Sequence, residues 1–229
     1  VLLRNTFQKY LGLGLSAKRC NIRAMLDRDA RIAMLSLSYN SMIATIKRHY
    51  SLDEYRAIAN ISEEKCEYHD GELITMTGGT VKHSRISRNV LNLLDNKLQN
   101  TSFEAINNDL RLWIPDYRRG VYPDAMVFDG ALQFNGNRED EVLNPLLIVE
   151  VLSPSTEEYD RTDKFRMYRS IPSFCEYLLI RQNKVFVERY SKQAQVWTYS
   201  DFDSLDQSIL LEPMNVEFAI AEIYRGIEF

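Results

Sequence analysis

The sequence predicts a mixed α/β (α+β) fold: a mixed β-sheet core flanked by helices, opened by a helix and hairpin and closed by a C-terminal β-hairpin. Three observations carry this. Pro145-Leu146-Leu147-Ile148-Val149-Glu150-Val151-Leu152 is aliphatic enough for a strand buried on both faces. A helical stretch and a further strand, Glu176–Ile180, follow it, and such alternation marks the α/β class. Upstream, Ile86, Val90, Leu93, Leu94 and Leu98 form an apolar stripe at helical spacing.

The elements follow in order. Ser51-Leu52-Asp53-Glu54 is a capping box that opens a short helix running to about Ala59. Cys66 to Met76 reads as two short strands joined at Asp70-Gly71, a strong hairpin turn. Gly78-Gly79 is a loop, and a helix runs from His83 to about Gln99. Strands are expected near Phe103–Ile106, Asp109–Ile114 and Val121–Phe128, and then at the buried Leu146–Leu152. After Pro154 a helix covers about Glu157 to Arg169 and stops ahead of Ile171-Pro172, because the residue before a proline disfavours the helical region. Lys184–Tyr190 and Gln195–Tyr199 pair as a hairpin, and a short strand and helix end the chain.

The 229 residues, 45% apolar and 26% charged, have the composition of a globular protein, and no apolar run reaches the length of a membrane span. Cys20, Cys66 and Cys175 match no zinc spacing and form no even disulfide framework, so a reducing cytoplasm fits. Residues 1–41 hold seven basic and two acidic residues, a net +5 that leaves −9 on the rest of a chain totalling −4. They show no sustained period. We expect them to be a disordered or non-native extension, with translation starting at Met42 and the domain spanning 42–229; an organellar transit peptide fits the same composition. The acidic domain argues against non-specific coating of nucleic acid, but an acidic metal site with a local basic rim stays compatible with it.

Glu150 is the first candidate for chemistry. A charge within a buried strand needs a partner. That partner is either a nearby arginine, in a structural ion pair, or a metal. Leu146, Ile148, Glu150 and Leu152 share one strand face by the two-residue period. Asp124, after Pro123 at the head of another apolar strand, is the natural second ligand. Two carboxylates on adjacent strands make a hard oxygen site suited to Mg²⁺. Asp160, Lys164 and Tyr168 form one column on the helix that follows the Glu150 strand. The column either meets water, or faces the carboxylates and lets Lys164 orient the attacking water. His83 at a helix start and Glu67 before the hairpin turn are weaker candidates, each also readable as an ordinary edge or solvated residue. Lys82, Arg85, Arg118, Arg119, Arg161 and Arg166 could meet a phosphate backbone, each equally readable as part of a scattered solvated surface.

Taken in order, Glu67-Tyr68 with Asp70-Gly71-Glu72-Leu73, His83, Pro123-Asp124, Glu150-Val151-Leu152-Ser153-Pro154-Ser155-Thr156, Asp160, Lys164, Tyr168 and Glu176-Tyr177 resemble the Uma-two family of restriction-endonuclease-like, PD-(D/E)xK nucleases. The resemblance covers about Met42 to Phe229. It implies a restriction-endonuclease-like fold and a Mg²⁺-dependent endonuclease (Mn²⁺ an alternative ion) acting on DNA. Asp124 and Glu150 would hold the metal, with Glu67 and His83 beside it. The superfamily's lysine, two residues after the glutamate, would fall at Leu152; Lys164 on the next helix is the matching position here. The strand Glu176-Tyr177-Leu178-Leu179-Ile180-Arg181 departs from the family pattern by lacking its tryptophan and its aspartate. A homodimer would offer two symmetric sites for two strands. The alternative is a catalytically silent nuclease-like domain that binds nucleic acid or a protein; a third possibility is metal-dependent chemistry on another phosphate substrate.

Overall fold

The computed structural model describes residues 48–229, so the expected extension 1–41 and start at Met42 lie outside the described residues. The centre is a six-stranded mixed sheet in the order β11-β10-β9-β8-β6-β3. Its strands are β3 (Phe103–Asn107), β6 (Ala125–Asp129), β8 (Leu147–Leu152), β9 (Glu176–Arg181), β10 (Val187–Gln193) and β11 (Val196–Phe202). A five-stranded sheet in the order β2-β1-β5-β4-β7 is built from β1 (Cys66–His69), β2 (Glu72–Thr75), β4 (Arg111–Ile114), β5 (Arg119–Val121) and β7 (Glu141–Val142). A C-terminal hairpin pairs β12 (Ser208–Leu211) with β13 (Val216–Ala219).

The aliphatic run becomes β8, buried at every position. It pairs parallel with β9 and antiparallel with β6, and its two faces feed different cores. Leu147, Val149 and Val151 join Ile86, Val90 and Leu94 of helix α2 (Val81–Lys97). Ile148 and Leu152 join Met126, Tyr177 and Leu179 on the opposite side, with Met167 and Tyr168. Leu146, expected on the Glu150 face, precedes the strand and packs with the α2 layer instead.

Two boundaries differ from expectation in ways that shape the site. Val121–Phe128 is not one strand: β5 ends at Val121 in the smaller sheet and β6 begins at Ala125 in the larger. Pro123 has no N–H to give a ladder, so the chain leaves one sheet there and joins the other, with Asp124 at the crossing. The helix after Pro154 is also interrupted. Helix α3 (Glu157–Tyr159) passes into a π-helical turn at Asp160–Lys164 and then into α4 (Phe165–Tyr168). Such wide turns recur at functional sites because they re-aim side chains within a helix.

The capping box is present, with the Glu54 N–H donating to Ser51 Oγ at 3.2 Å and the Ser51 N–H donating to Glu54 Oε2 at 2.8 Å. It starts α1 (Leu52–Ala59), whose Tyr55 packs on Cys66, Tyr68 and Trp113. The β1–β2 hairpin turns through Asp70 (φ 44°) and Gly71 (φ 100°). Both positive angles suit the Asp-Gly pair of a type I′ turn. A Cβ on Gly71 would also fall 2.1 Å from His49 Nε2. Gly71→Ala is therefore expected to cost about 1–3 kcal/mol through backbone strain, read as a drop of several degrees in thermal unfolding; an unchanged melting temperature would refute this turn geometry. Helix α5 (Ile220–Ile223) packs against α2. Among the described residues no helix is long and apolar enough to cross a membrane.

Candidate active site

A cleft of about 1160 Å³ opens where the strand ends of the two sheets meet α2 and the helical segment after β8. Glu67, His83, Asp124, Glu150 and Lys164, the five residues singled out from the sequence, all line it. Each arrives from a different element. Alternation along β1 sends Cys66 and Tyr68 into the small core, while Glu67 and His69 line the cleft. In the antiparallel pairing of β6 with β8, Ala125 faces Val149, so one further step puts Asp124 across from Glu150.

Glu150 is 5% exposed. Its Oε1 accepts from Lys164 Nζ at 3.0 Å and from the Tyr168 hydroxyl at 2.7 Å. Its Oε2 accepts from no described residue. Lys164 Nζ also lies 2.9 Å from Asp160 Oδ1. The Asp160–Lys164–Tyr168 column therefore turns inward, and the solvent-facing alternative is excluded. Leu152 is buried in the core on the Glu150 side of β8.

Asp124 is held from both neighbours. Its Oδ2 accepts the Val151 N–H at 2.7 Å, where the β6–β8 ladder runs out, and lies 3.3 Å from His83 Nε2. Its Oδ1 accepts from Ser87 Oγ at 3.2 Å. His83 and Ser87 are four apart on α2 and so share a face. Gly79 lies close over His83: a Cβ there would sit 3.0 Å from the ring. Glu67 Oε2 lies 2.8 Å from His69 Nε2. Tyr159 has a buried hydroxyl without a described partner, and its ring lies near that of His69.

The electrostatics follow from a surplus of carboxylates. Burial pushes Glu150 up to about 8, with Asp160 and Asp124 adding to the rise against the pull of Lys164. Burial alone would lower the Lys164 ammonium, but Glu150, Asp160 and Glu67 hold it well above its usual value. The causes differ: burial dominates for Glu150, whereas neighbouring negative charge outweighs burial for Lys164. Glu67 resists its own burial and stays low through His69 and Lys164. Asp124 raises His83, against the effect of burial.

His69, Ser87 and Tyr159 were not anticipated. His69 stands two residues after Glu67 and Ser87 four after His83, so strand and helix periods carried the signal for both. The six basic residues expected at the backbone are placed elsewhere. Arg161 pairs with Glu157 and Glu188, Arg118 with Asp70 and Arg166 with Asp163, and Lys82 lies over the Phe229 ring. Arg85 donates to the Gly226 carbonyl, and Arg119 keeps a buried Nε without a described partner. None of the six lines the cleft.

Comparison with known proteins agrees with this architecture. Two uncharacterized proteins of Synechocystis sp. are each 34% identical to the chain, over 182 and 180 residues. These alignments cover 80% and 78% of this chain and 99% and 93% of the relatives. A crystal structure titled as a "putative nuclease belonging to DUF820", from Anabaena variabilis, superposes with a TM-score of 0.62 at 20% identity, over 76% of this chain and 97% of that one. At that identity the likeness concerns the fold, which is nuclease-like. Residues 52–221 match the model of the Uma2 family, described as "Putative restriction endonuclease", and the chain belongs to that family.

Proposed function

We propose that the protein is a Mg²⁺-dependent endonuclease that hydrolyses phosphodiester bonds of DNA, with Mn²⁺ as an alternative ion. The observation that carries this reading is the register that sets Asp124 opposite Glu150 in a cleft shared with Lys164, Glu67 and His83. The donor set fits a hard divalent cation. Glu150 Oε2 accepts no hydrogen bond from a described residue, and Lys164 faces both Glu150 and Asp160. No group of three or more His, Cys, Asp or Glu among the described residues is placed to hold a metal ion, so an ion here would have to draw on Asp124 and Glu150 with water and phosphate oxygens. This suits Mg²⁺, which keeps several waters and takes one or two carboxylates together with substrate phosphate oxygens.

Asp124 and Glu150 would hold the ion. Bound there, a divalent cation neutralises phosphate charge and acidifies a coordinated water. Lys164 and Tyr168 fix Glu150 through Oε1, which leaves Oε2 without a partner among the described residues. An ammonium has three donors; Lys164 gives one to Glu150 and stands in an ion pair with Asp160, whose Oδ1 accepts no hydrogen bond among the described residues, so donors remain for the attacking water or a phosphate oxygen. Ser87, His83 and the Val151 N–H orient Asp124. Glu67, oriented by His69, stands beside the site. In the reaction the water oxygen bonds to phosphorus, one P–O ester bond breaks, and the leaving oxygen takes a proton. A homodimer would bring two such clefts to the two strands of a duplex.

The test is incubation of the purified protein with supercoiled, linear and single-stranded DNA and with RNA, with and without Mg²⁺ or Mn²⁺. Cleavage that requires the ion and falls at least ~100-fold in Asp124→Asn is expected. Metal-independent binding without cleavage of any substrate would favour the silent binding domain instead.

A further inference from the structure

Apart from histidines, two cationic side chains line the cleft among the described residues: Lys164 and Arg88. Lys164 is committed to Glu150 and Asp160. Arg88 is exposed on α2 and makes no hydrogen bond or ion pair with any described residue. A free guanidinium on the wall of a cleft rich in carboxylates is unusual, because a long flexible side chain beside acids normally finds one. Its helix phase explains this. Ser84, Arg88 and Leu91 form a cleft-lining stripe on α2 that continues from Thr80, one step around the helix from the His83–Ser87 face turned to Asp124. Arg88 is thus an exposed residue of the cleft wall, one helical step from the residues that hold Asp124.

The position is also rigid. Thr80, the N-cap of α2, donates to Gln182, and Asn89 donates to the carbonyls of Ile223 at 2.9 Å and Arg225 at 3.0 Å. Ser87, the neighbour of Arg88, bonds Asp124 itself. The base of Arg88 is therefore fixed relative to the proposed metal ligands. An unpaired guanidinium so placed matches a tetrahedral oxyanion, which its planar fork binds through two parallel hydrogen bonds.

We propose that Arg88 binds a backbone phosphate flanking the scissile one, and so sets where the nucleic acid strand lies along α2. This rests on the phosphodiesterase reading above. With Lys164 engaged, Arg88 is the free cation of the cleft wall among the described residues, so it accounts for a distinct share of a shallow salt dependence.

The experiment measures binding of a short labelled duplex, and of its single strand, in Ca²⁺ at several salt concentrations, and steady-state cleavage in Mg²⁺. It compares wild type with Arg88→Ala, Arg88→Lys and Arg85→Ala. Arg88→Ala should weaken binding and raise KM about 10-fold or more, with kcat little changed. It should make the slope of log K against log salt shallower by about 0.9 for duplex or 0.7 for single strand. Arg88→Lys should restore the slope and part of the affinity, and Arg85→Ala on the same helix should resemble wild type. Equal losses in Arg85→Ala and Arg88→Ala, or an Arg88→Ala variant with wild-type KM and slope, would overturn the assignment while leaving the nuclease reading intact. A wild-type protein that neither binds nor cuts any substrate would overturn both.

Discussion

Glu150→Gln is expected to lower cleavage at least ~1,000-fold while the protein stays folded. Glutamine keeps the shape of the side chain and can still accept from the Tyr168 hydroxyl, now 2.7 Å away. It removes the charge that the proposed metal needs. Losing one of two carboxylate ligands forfeits several kcal/mol of transition-state charge stabilisation; about 4 kcal/mol corresponds to about 10³ in rate. Stability should fall less than in a lysine variant, because burial already pushes the Glu150 carboxyl up to about 8 and Lys164 keeps its ion pair with Asp160. Cleavage kinetics and thermal unfolding with and without Mg²⁺ give the two readouts. Mg²⁺ should raise the melting temperature of the wild type but not of the variant, since a ligand stabilises only the form that binds it. A variant that cuts at the wild-type rate would remove Glu150 from the site.

Lys164→Met is expected to damage the fold as well as the chemistry. Lys164 is 7% exposed, and its ammonium meets Glu150 at 3.0 Å and Asp160 at 2.9 Å. Removing one partner of a buried pair leaves uncompensated charge and costs about 3–5 kcal/mol. For a domain of this size each kcal/mol shifts melting by roughly 2–4 °C, so a fall of roughly 6–20 °C should follow. Adding Glu150→Gln to Lys164→Met should recover part of that loss, because the stranded carboxylate is then neutral, yet cleavage should stay absent. Such recovery separates electrostatic strain from lost packing. A single variant that melts with the wild type would show that the Glu150–Lys164 pair does not form in solution.

Much of this site was legible in the chain. The aliphatic run with one carboxylate marked β8, and the proline-aspartate step marked a second carboxylate of the candidate site. The spacing of Asp160, Lys164 and Tyr168 marked a column able to reach them. Other features were not legible. Strand propensity continues across Val121–Phe128, and only the missing N–H of Pro123 within a two-sheet context makes the chain change sheets there. Helical periodicity predicted one helix from Glu157 onward, whereas the structure has a π-helical turn at Asp160–Lys164, where both residues are buried. The basic residues chosen by charge alone do not line the cleft, and four of them meet acidic or backbone partners elsewhere, whereas Arg88, one of two arginines in α2, gave no local sign of its place on the cleft wall.

By itself the sequence determined which residues share a face: the inward carboxylate of β8, the His83–Ser87 side of α2, the Glu67–His69 side of β1 and the lysine column. These follow from strand and helix periods, which are local. Only the tertiary structure decided that those faces meet. The β6–β8 register sets Asp124 opposite Glu150. The two core layers bring α2 and α4 to opposite sides of β8, and the surplus of negative charge arises only once the faces converge. That convergence depends on pairing between distant segments, which the pattern of neighbouring residues does not encode.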